Sequence, residues 1–361
     1  LDGVLVDVLE IDHETYRLSL SRLKLLSGLK LNVQGEAQDG RFSIKIKGDE
    51  IELRTSILPG NYAETVVLRL LNPKSIGVEL EQLGLEEKLR LKLEKEIQKP
   101  NGMILTTGPT GSGKTTTLYA FLRKVNSSGT KIITIEDPIE YHLQGLVQTQ
   151  VDKKNYTFAN GLRSALRQDP DIIMVGEIRD SEVAETAINA ALTGHLVFST
   201  LHTNDAAGSF PRLIDLGVDE KVLSSAIIAA LAQRLVRKLC SNCKQVRQTT
   251  NDEQQVINKF LGTIVDRALV PAETKQIWGA KEGGCPVCHG SGYKGRIAIF
   301  EAVFMDSAIE TILRTKPSER EVYLAARPQG IPSMQEDGII KVLRGVTSMD
   351  ELRRVVDLDT Q

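Results

Sequence analysis

Residues 108–115, Gly108-Pro109-Thr110-Gly111-Ser112-Gly113-Lys114-Thr115, follow the spacing G-x-x-x-x-G-K-[ST] without a gap. Such a loop holds phosphate because its glycines let backbone N–H groups turn inward where a Cβ would clash. The helix that follows adds the partial positive charge of its N-terminus. By spacing, Lys114 reaches the β- and γ-phosphates, the Thr115 hydroxyl ligates Mg²⁺, and Thr116 starts the helix beside them. The competing reading is an ordinary glycine-rich turn. The flanks decide against it, because an apolar run at 103–107 enters the loop and a helical segment at 116–124 leaves it. The chemistry implied is binding of Mg-ATP and attack of water on its γ-phosphate.

Two apolar runs end in carboxylates. Ile133-Thr134-Ile135 leads to Glu136 and Asp137, and Ile172-Ile173-Met174-Val175-Gly176 leads to Glu177. In a parallel sheet carrying a phosphate loop, the C-terminal ends of the strands gather around the nucleotide. Glu136 and Glu177 are therefore both candidates for activating water or holding the metal, with surface carboxylates at strand ends as the alternative. Gly176 stands where many such ATPases carry a metal-coordinating Asp, so Glu177 acts there alone, through metal-bound or attacking water. The run 193–203 (TGHLVFSTLHT) places His202 at the same edge, where it could sense phosphate. His195 starts that strand at the far side, which suits a structural role.

Four cysteines form two C-x-x-C pairs, Cys240/Cys243 and Cys285/Cys288, with 41 residues between the pairs. Two thiolate pairs close a tetrahedral Zn²⁺ site. The gap exceeds that of a compact zinc ribbon, so the residues between must form their own excursion. Gly283-Gly284 and Gly290-Ser291-Gly292 supply turns around the second pair. His289 could compete as a ligand, but four thiolates already complete the shell. A redox dithiol or free thiols remain the alternatives.

The elements that must position these groups are those of an α/β protein. The runs at 103–107, 132–135, 172–175 and 196–200 are continuously apolar, as in a parallel sheet covered on both faces. They define an ATPase domain over residues 100–236. Residues 1–71 form a smaller α/β domain, with strand-like alternation at 3–9 and 42–46 and a helical stretch at 18–31 that Gly28 ends. Asn72-Pro73-Lys74-Ser75 begins a linker (72–99), whose Leu85, Leu89, Leu93 and Ile97 form a helix stopped by Pro100-Asn101-Gly102. The C-terminal region, 237–361, carries the cysteine element at 240–288 and is otherwise mostly helical. The chain begins at Leu1 inside a strand-like pattern and is read as truncated there. With 41% hydrophobic residues and no apolar run of spanning length, it has the profile of a soluble protein with a sizeable core, and no signal peptide is visible. A net charge of −2 offers no global attraction to nucleic acid.

Taken together, the motifs resemble the secretion-type ATPases that drive type II secretion and type IV pilus assembly. The resemblance rests on the phosphate loop, residues 134–141 (TIEDPIEY), 174–180 (MVGEIRD) and 193–204 (TGHLVFSTLHTN), Gln38-Asp39-Gly40-Arg41, and 232–237 (AQRLVR). It covers nearly the whole chain. It implies a homo-hexameric ring with a RecA-like motor domain and a PAS-like N-terminal domain that closes over ATP at an interface. Arginines of that domain contact phosphate in the family, and the matching positions here are Arg41, Arg54 and, less directly, Arg69. The stretch before Gln38 is shorter than usual in the family. The resemblance also implies a zinc-binding tetracysteine element, which the pilus retraction motors generally lack. It implies a cytoplasmic location at the inner face of the membrane, with a membrane platform and cytoplasmic adaptor proteins as partners. The readings set against this are a pilus retraction motor, a RecA-like nucleic-acid translocase and a non-catalytic nucleotide-binding scaffold.

Overall fold

The computed structural model describes residues 2–46, 48–71, 77–152 and 155–358. The expected linker signal Asn72-Pro73-Lys74-Ser75 lies outside them. The chain divides into two compact units, one of residues 3–78 with 140–142 and one of 79–139 with 143 onward.

In the first unit, α1 (His13–Leu26) packs on an antiparallel sheet of β1 (Gln38–Ile46), β2 (Asp49–Leu58) and β3 (Thr65–Leu71) in that order. The helix starts five residues earlier than its leucines suggest. Asp12 caps it, its carboxylate accepting the Thr15 N–H at 2.8 Å. Gly28, at φ +70°, ends it as expected. Lys24 is 2% exposed, and its ammonium is held by Glu64 at 2.7 Å and by the Val33 carbonyl at 2.8 Å. The alternating residues 3–9 are not a strand. Among the described residues they join none of the three sheets, and Leu5 is fully exposed. Alternation records a side-chain pattern, whereas a strand needs a hydrogen-bond ladder.

The second unit opens with α2 (Glu87–Glu96), which buries Leu89 and Leu93, with Ile97 buried at its end. Then follow β4 (Gly102–Thr107), α3 (Lys114–Val125), β5 (Ile132–Glu136), β6 (Val147–Gln150), α4 (Phe158–Leu166), β7 (Ile172–Val175), α5 (Ser181–Leu192) and β8 (Leu196–Leu201). Short helices α6 (Ser209–Asp215) and α7 (Glu220–Ala226) lead into the long strand β9 (Ile227–Leu239). Between the cysteine pairs, β10 (Gln245–Gln248) and β11 (Gln276–Gly279) form an antiparallel ribbon flanking α8 (Asn251–Thr263). Strand β12 (Tyr293–Phe304) and helices α9 (Ser307–Leu313), α10 (Glu319–Ala326), α11 (Met334–Leu343) and α12 (Met349–Val355) complete the unit.

One sheet organises it, in the order β12-β9-β4-β8-β7-β5-β6. Neighbours from β9 to β6 run parallel, and β12 returns antiparallel to β9. β4, β5, β7 and β8 are buried at every position, as their unbroken apolar runs imply. The sheet draws on both sides of position 236, because β9 runs through it and β12 comes from the region expected to be mostly helical. β9 is alanine-rich, a composition that favours helix in isolation. Here Ala229, Ala230 and Ala232 have no exposed surface between β4 and β12. Burial in the middle of the sheet overrides the local preference.

Candidate nucleotide site and cysteine centre

The phosphate loop joins β4 to α3. Gly108, Gly111 and Gly113 take φ of 139°, 80° and 92°, backbone conformations that side-chain-bearing residues rarely adopt. Gly108 is also confined from below, since a Cβ there would lie 2.6 Å from the Gln233 carbonyl. No side chain caps the start of α3 at Gly113, so the loop and helix amides are left to an anion. Pro109, Thr110 and Gly111 are exposed and Ser112 is buried, while Thr115 and Thr116 are half-buried on the first turn. Lys114 donates to the carbonyls of Gly108 at 2.7 Å and Pro109 at 3.1 Å. Burial lowers its pKa from the ordinary lysine value, and the charge of Glu177 partly restores it. The loop therefore fits a phosphate chain: glycines at positive φ, an uncapped helix and a half-buried ammonium converge on one spot.

Hydroxyl bonds align the neighbouring strand ends. Thr107 Oγ1 lies 3.1 Å from the Leu201 carbonyl, Ser199 donates to the Val175 carbonyl at 2.7 Å, and Thr200 to the Gly176 carbonyl at 2.8 Å. These fix the turn after β7, where Glu177 is held between Arg179 at 2.5 Å and His202 Nε2 at 3.2 Å. Glu177 thus sits beside Lys114's charge with His202 at the end of β8, the grouping the strand-end reading expects. Glu136 is 3% exposed, and its carboxylate accepts from Thr134 at 2.5 Å, from Gln148 at 3.1 Å and from Tyr119. A Cβ on Gly176 would come 3.2 Å from the Ile135 carbonyl, which leaves little room there for the usual Asp. His195 lies at the opposite end of β8, its Nδ1 3.0 Å from the Ala190 carbonyl.

Three contributors were not legible as site residues. Gln233, 1% exposed, donates to the Ser112 carbonyl at 2.8 Å. Arg234 donates to the Asn204 carbonyl at 2.6 Å, and burial lowers its pKa. Tyr119 reaches Glu136 from α3. Gln233 and Arg234 lie in the AQRLVR segment, but only the sheet order brings that segment beneath the loop.

In the first unit, Arg41, Arg54 and Arg69 stand opposite one another across β1, β2 and β3. Directly opposed residues share a face, and like charges so placed repel unless an anion or carboxylate intervenes. Glu52 lies 3.8 Å from Arg54. The preceding motif residues build this row. Gln38 bonds the Lys30 N–H at 2.9 Å and the Val33 carbonyl at 2.9 Å. A Cβ on Gly40 would lie 2.4 Å from the Ser27 carbonyl, so only glycine lets the end of α1 approach β1.

Cys240, Cys243, Cys285 and Cys288 bring their sulfurs within 4.8 Å of one another. Separations are 3.8 Å for Cys240–Cys285 and Cys243–Cys288, and 3.7 Å for Cys285–Cys288. A tetrahedron with Zn–S bonds of about 2.3 Å has edges of about 3.8 Å, so the spacing matches a four-thiolate zinc site. A disulfide needs sulfurs at about 2.05 Å. Burial pushes the Cys243 thiol up to about 12. Burial also opposes ionisation of Cys288, but N–H groups of Cys285 at 3.1 Å and Gly292 at 3.3 Å bring it down to about 6. His289 is not part of the cluster. The flanking glycines act as expected: Gly284 has φ +55°, and a Cβ there would lie 2.8 Å from the Cys288 sulfur.

Residues 1–354 match the family model for type II/IV secretion system proteins. The type II secretion system protein E of Pseudomonas aeruginosa is 46% identical over 356 residues, covering 98% of this chain and 68% of that relative. The type II secretion system ATPase E of Vibrio cholerae is 41% identical over 358 residues, with the same two coverages. Among solved structures, the pilus retraction motor PilT with bound ADP is 27% identical, with a TM-score of 0.61, covering 94% of this chain and 83% of its own. With the phosphate loop, the strand-end carboxylates and the four-cysteine cluster in one fold, the chain belongs to the family of type II/IV secretion system proteins and, within it, to the type II secretion system protein E group of ATPases.

Proposed function

We propose that this chain is a ring-forming, homo-hexameric Mg-ATP motor that drives extrusion of a pseudopilus or assembly of a pilus. The observation that carries this is the convergence of Lys114, Glu177 and His202 at the strand ends beside an uncapped α3. Residues 108–116 bind the phosphates, and Lys114 leaves its carbonyl partners for the β/γ oxygens. Thr115 holds Mg²⁺, which supplies charge neutralisation on the phosphates. Glu177 and Glu136 are the candidate carboxylates for orienting or deprotonating water, and His202 holds Glu177. Arg41 and Arg54, with Arg69 beside them, meet the charge developing on the transferred phosphoryl group. Cys240, Cys243, Cys285 and Cys288 hold a structural Zn²⁺ in an element that meets a partner.

The motor would act at the inner face of the cytoplasmic membrane, through an inner-membrane platform protein and a cytoplasmic adaptor. Among the described residues no helix is long and apolar enough to cross a membrane. The test is phosphate release by the purified chain with and without membranes carrying the platform protein. Stimulation by the membranes supports a coupled motor. Absence of release in both would leave a nucleotide-binding scaffold. Stimulation by DNA that falls steeply with salt would instead favour a nucleic-acid translocase. The likeness to a solved retraction motor favours retraction as the second reading, and loss of fibre retraction rather than assembly on deleting the gene would establish it.

A further inference from the structure

We propose that Tyr119 is a positioning residue for hydrolysis, its phenol setting the direction of the Glu136 carboxylate from the helix that begins at the phosphate loop. The inference rests on the reading of Glu136 as a carboxylate that acts on water, and adds to it the group that aims it.

Tyr119 lies on α3, five residues after Lys114, about 7–8 Å along the helix. Its side chain is 2% exposed, and its hydroxyl donates to Glu136 Oε2. The other oxygen, Oε1, accepts from Thr134 Oγ1 and Gln148 Nε2. Three donors from three elements, α3, β5 and β6, therefore fix one carboxylate. Each partner requires the others. A buried phenol without an acceptor and a buried carboxylate without donors both carry a large desolvation cost.

The three donors are not equivalent. Thr134 is two residues from Glu136 on the same strand and moves with it. Gln148 is on the adjacent parallel strand, in register with Thr134, and its own carbonyl oxygen accepts the Leu143 N–H at 2.7 Å. Tyr119 alone belongs to the helix whose first turn carries Lys114 and Thr115. Any adjustment of α3 when phosphates enter the loop is thus transmitted to Glu136 through this hydrogen bond. A phenylalanine would fill the same core volume, so packing alone gives no reason for the hydroxyl.

The test is a double-mutant cycle on the full chain in its native oligomer, using Tyr119→Phe, Glu136→Gln and the pair. Tyr119→Phe keeps the ring, so the fold should be retained. Losing a hydrogen bond to a charged group should lower kcat roughly tenfold or more. The dissociation constant for ATP, measured by direct titration, should change less than about twofold, since the bond removed is to Glu136 and not to the loop. In the Glu136→Gln background the second substitution should cause no further loss, because the group it aims is gone. Parent-like kcat for Tyr119→Phe alongside a slow Glu136→Gln would overturn the inference and leave the reading of Glu136 intact. Equal fractional losses in both backgrounds would also overturn it, and would make the phenol a general structural contact. Parent-like turnover in Glu136→Gln would remove the reading of Glu136 and this inference with it.

Discussion

Gln233 donates its side-chain amide to the Ser112 carbonyl at 2.8 Å, so that the long strand β9 holds the crown of the phosphate loop from below. Its own backbone carbonyl lies 2.6 Å from where a Cβ on Gly108 would be. One residue thus makes a demand on the loop's sequence, glycine at 108, and another on its conformation, a carbonyl turned toward β9 at 112. Gln233→Ala removes one buried hydrogen bond, about 1 kcal/mol, and opens a small void. Mg-ATP should bind roughly fivefold more weakly while far-UV circular dichroism stays that of the parent. An unchanged dissociation constant would show that the loop keeps its shape without this brace.

Lys114→Ala should abolish hydrolysis and weaken nucleotide binding without unfolding the chain, because its partners are loop carbonyls and not core groups. Phosphate release at the parent rate would remove the phosphate-loop assignment.

The two acidic positions should separate in kinetics. Glu177 faces Arg179 and His202, and its environment is electrostatic. Glu177→Gln should retain ATP in a bound, unhydrolysed state, detectable by filter binding. Glu136→Gln should also slow turnover. If kcat is unaffected by either change, neither carboxylate takes part in the chemistry.

The pattern of what could be read beforehand has a physical basis. β4, β5, β7 and β8 were legible because a strand covered on both faces leaves an unbroken apolar run. The phosphate loop and the cysteine pairs were legible because their function demands fixed local spacing. β9 and β12 were not. Alanines suggest helix, and the antiparallel return of β12 is a long-range fact with no local mark. Gln233, Arg234 and Tyr119 followed β9 and α3 into obscurity: each acts on a loop or carboxylate at least 17 residues away in sequence. The strand expected at 3–9 failed for the opposite reason, a local pattern that no sheet among the described residues takes up.

Arg41 and Arg54 should act on ATP across a subunit interface, as the resemblance to hexameric ATPases implies. Arg54→Ala rings should hydrolyse slowly. Mixed rings of Arg54→Ala and Lys114→Ala chains should regain part of the activity, since each supplies what the other lacks. No recovery in mixed rings would place the arginine row outside the chemistry.

Stability should depend on pH through a carboxylate pair beside the His202 loop. Glu301 accepts N–H bonds from Ala206 at 2.8 Å and Met334 at 3.1 Å, but burial, helped by Asp205, pushes its carboxyl up to about 7. Glu319 is also pushed up to about 7, chiefly by a hydrogen bond shared with Asp205. Both folded-state values lie above the ordinary 4.5. Between these values the folded chain binds more protons than the unfolded one, so stability falls as pH rises. This contribution is fully present below about 4.5 and lost above about 7. Glu301→Gln with Glu319→Gln should flatten the Tm profile between pH 5 and 7, and an unaltered slope in the pair would assign it to other groups.

The four cysteines should bind one zinc per chain in a closed, structural site. Sulfur separations of 3.7–3.8 Å match the edges of a thiolate tetrahedron, and four ligands leave no position for water or substrate. The site ties Cys240, just beyond the end of β9, to Cys285 and Cys288, just before β12, so it staples the two strands where their ladder begins. The residues it encloses include the β10–β11 ribbon and α8, which pack against α11 through Ile257, Phe260 and Ile277 and are not part of the phosphate site. Cys285→Ser should therefore lower zinc content and speed proteolysis between 240 and 288. Basal ATP hydrolysis should largely survive, while stimulation by membranes carrying the partner is lost. Metal analysis of protein purified without chelator decides the first point. Zinc with an exchangeable water ligand would fit an open, catalytic site, and no zinc at all would leave the cluster as free thiols.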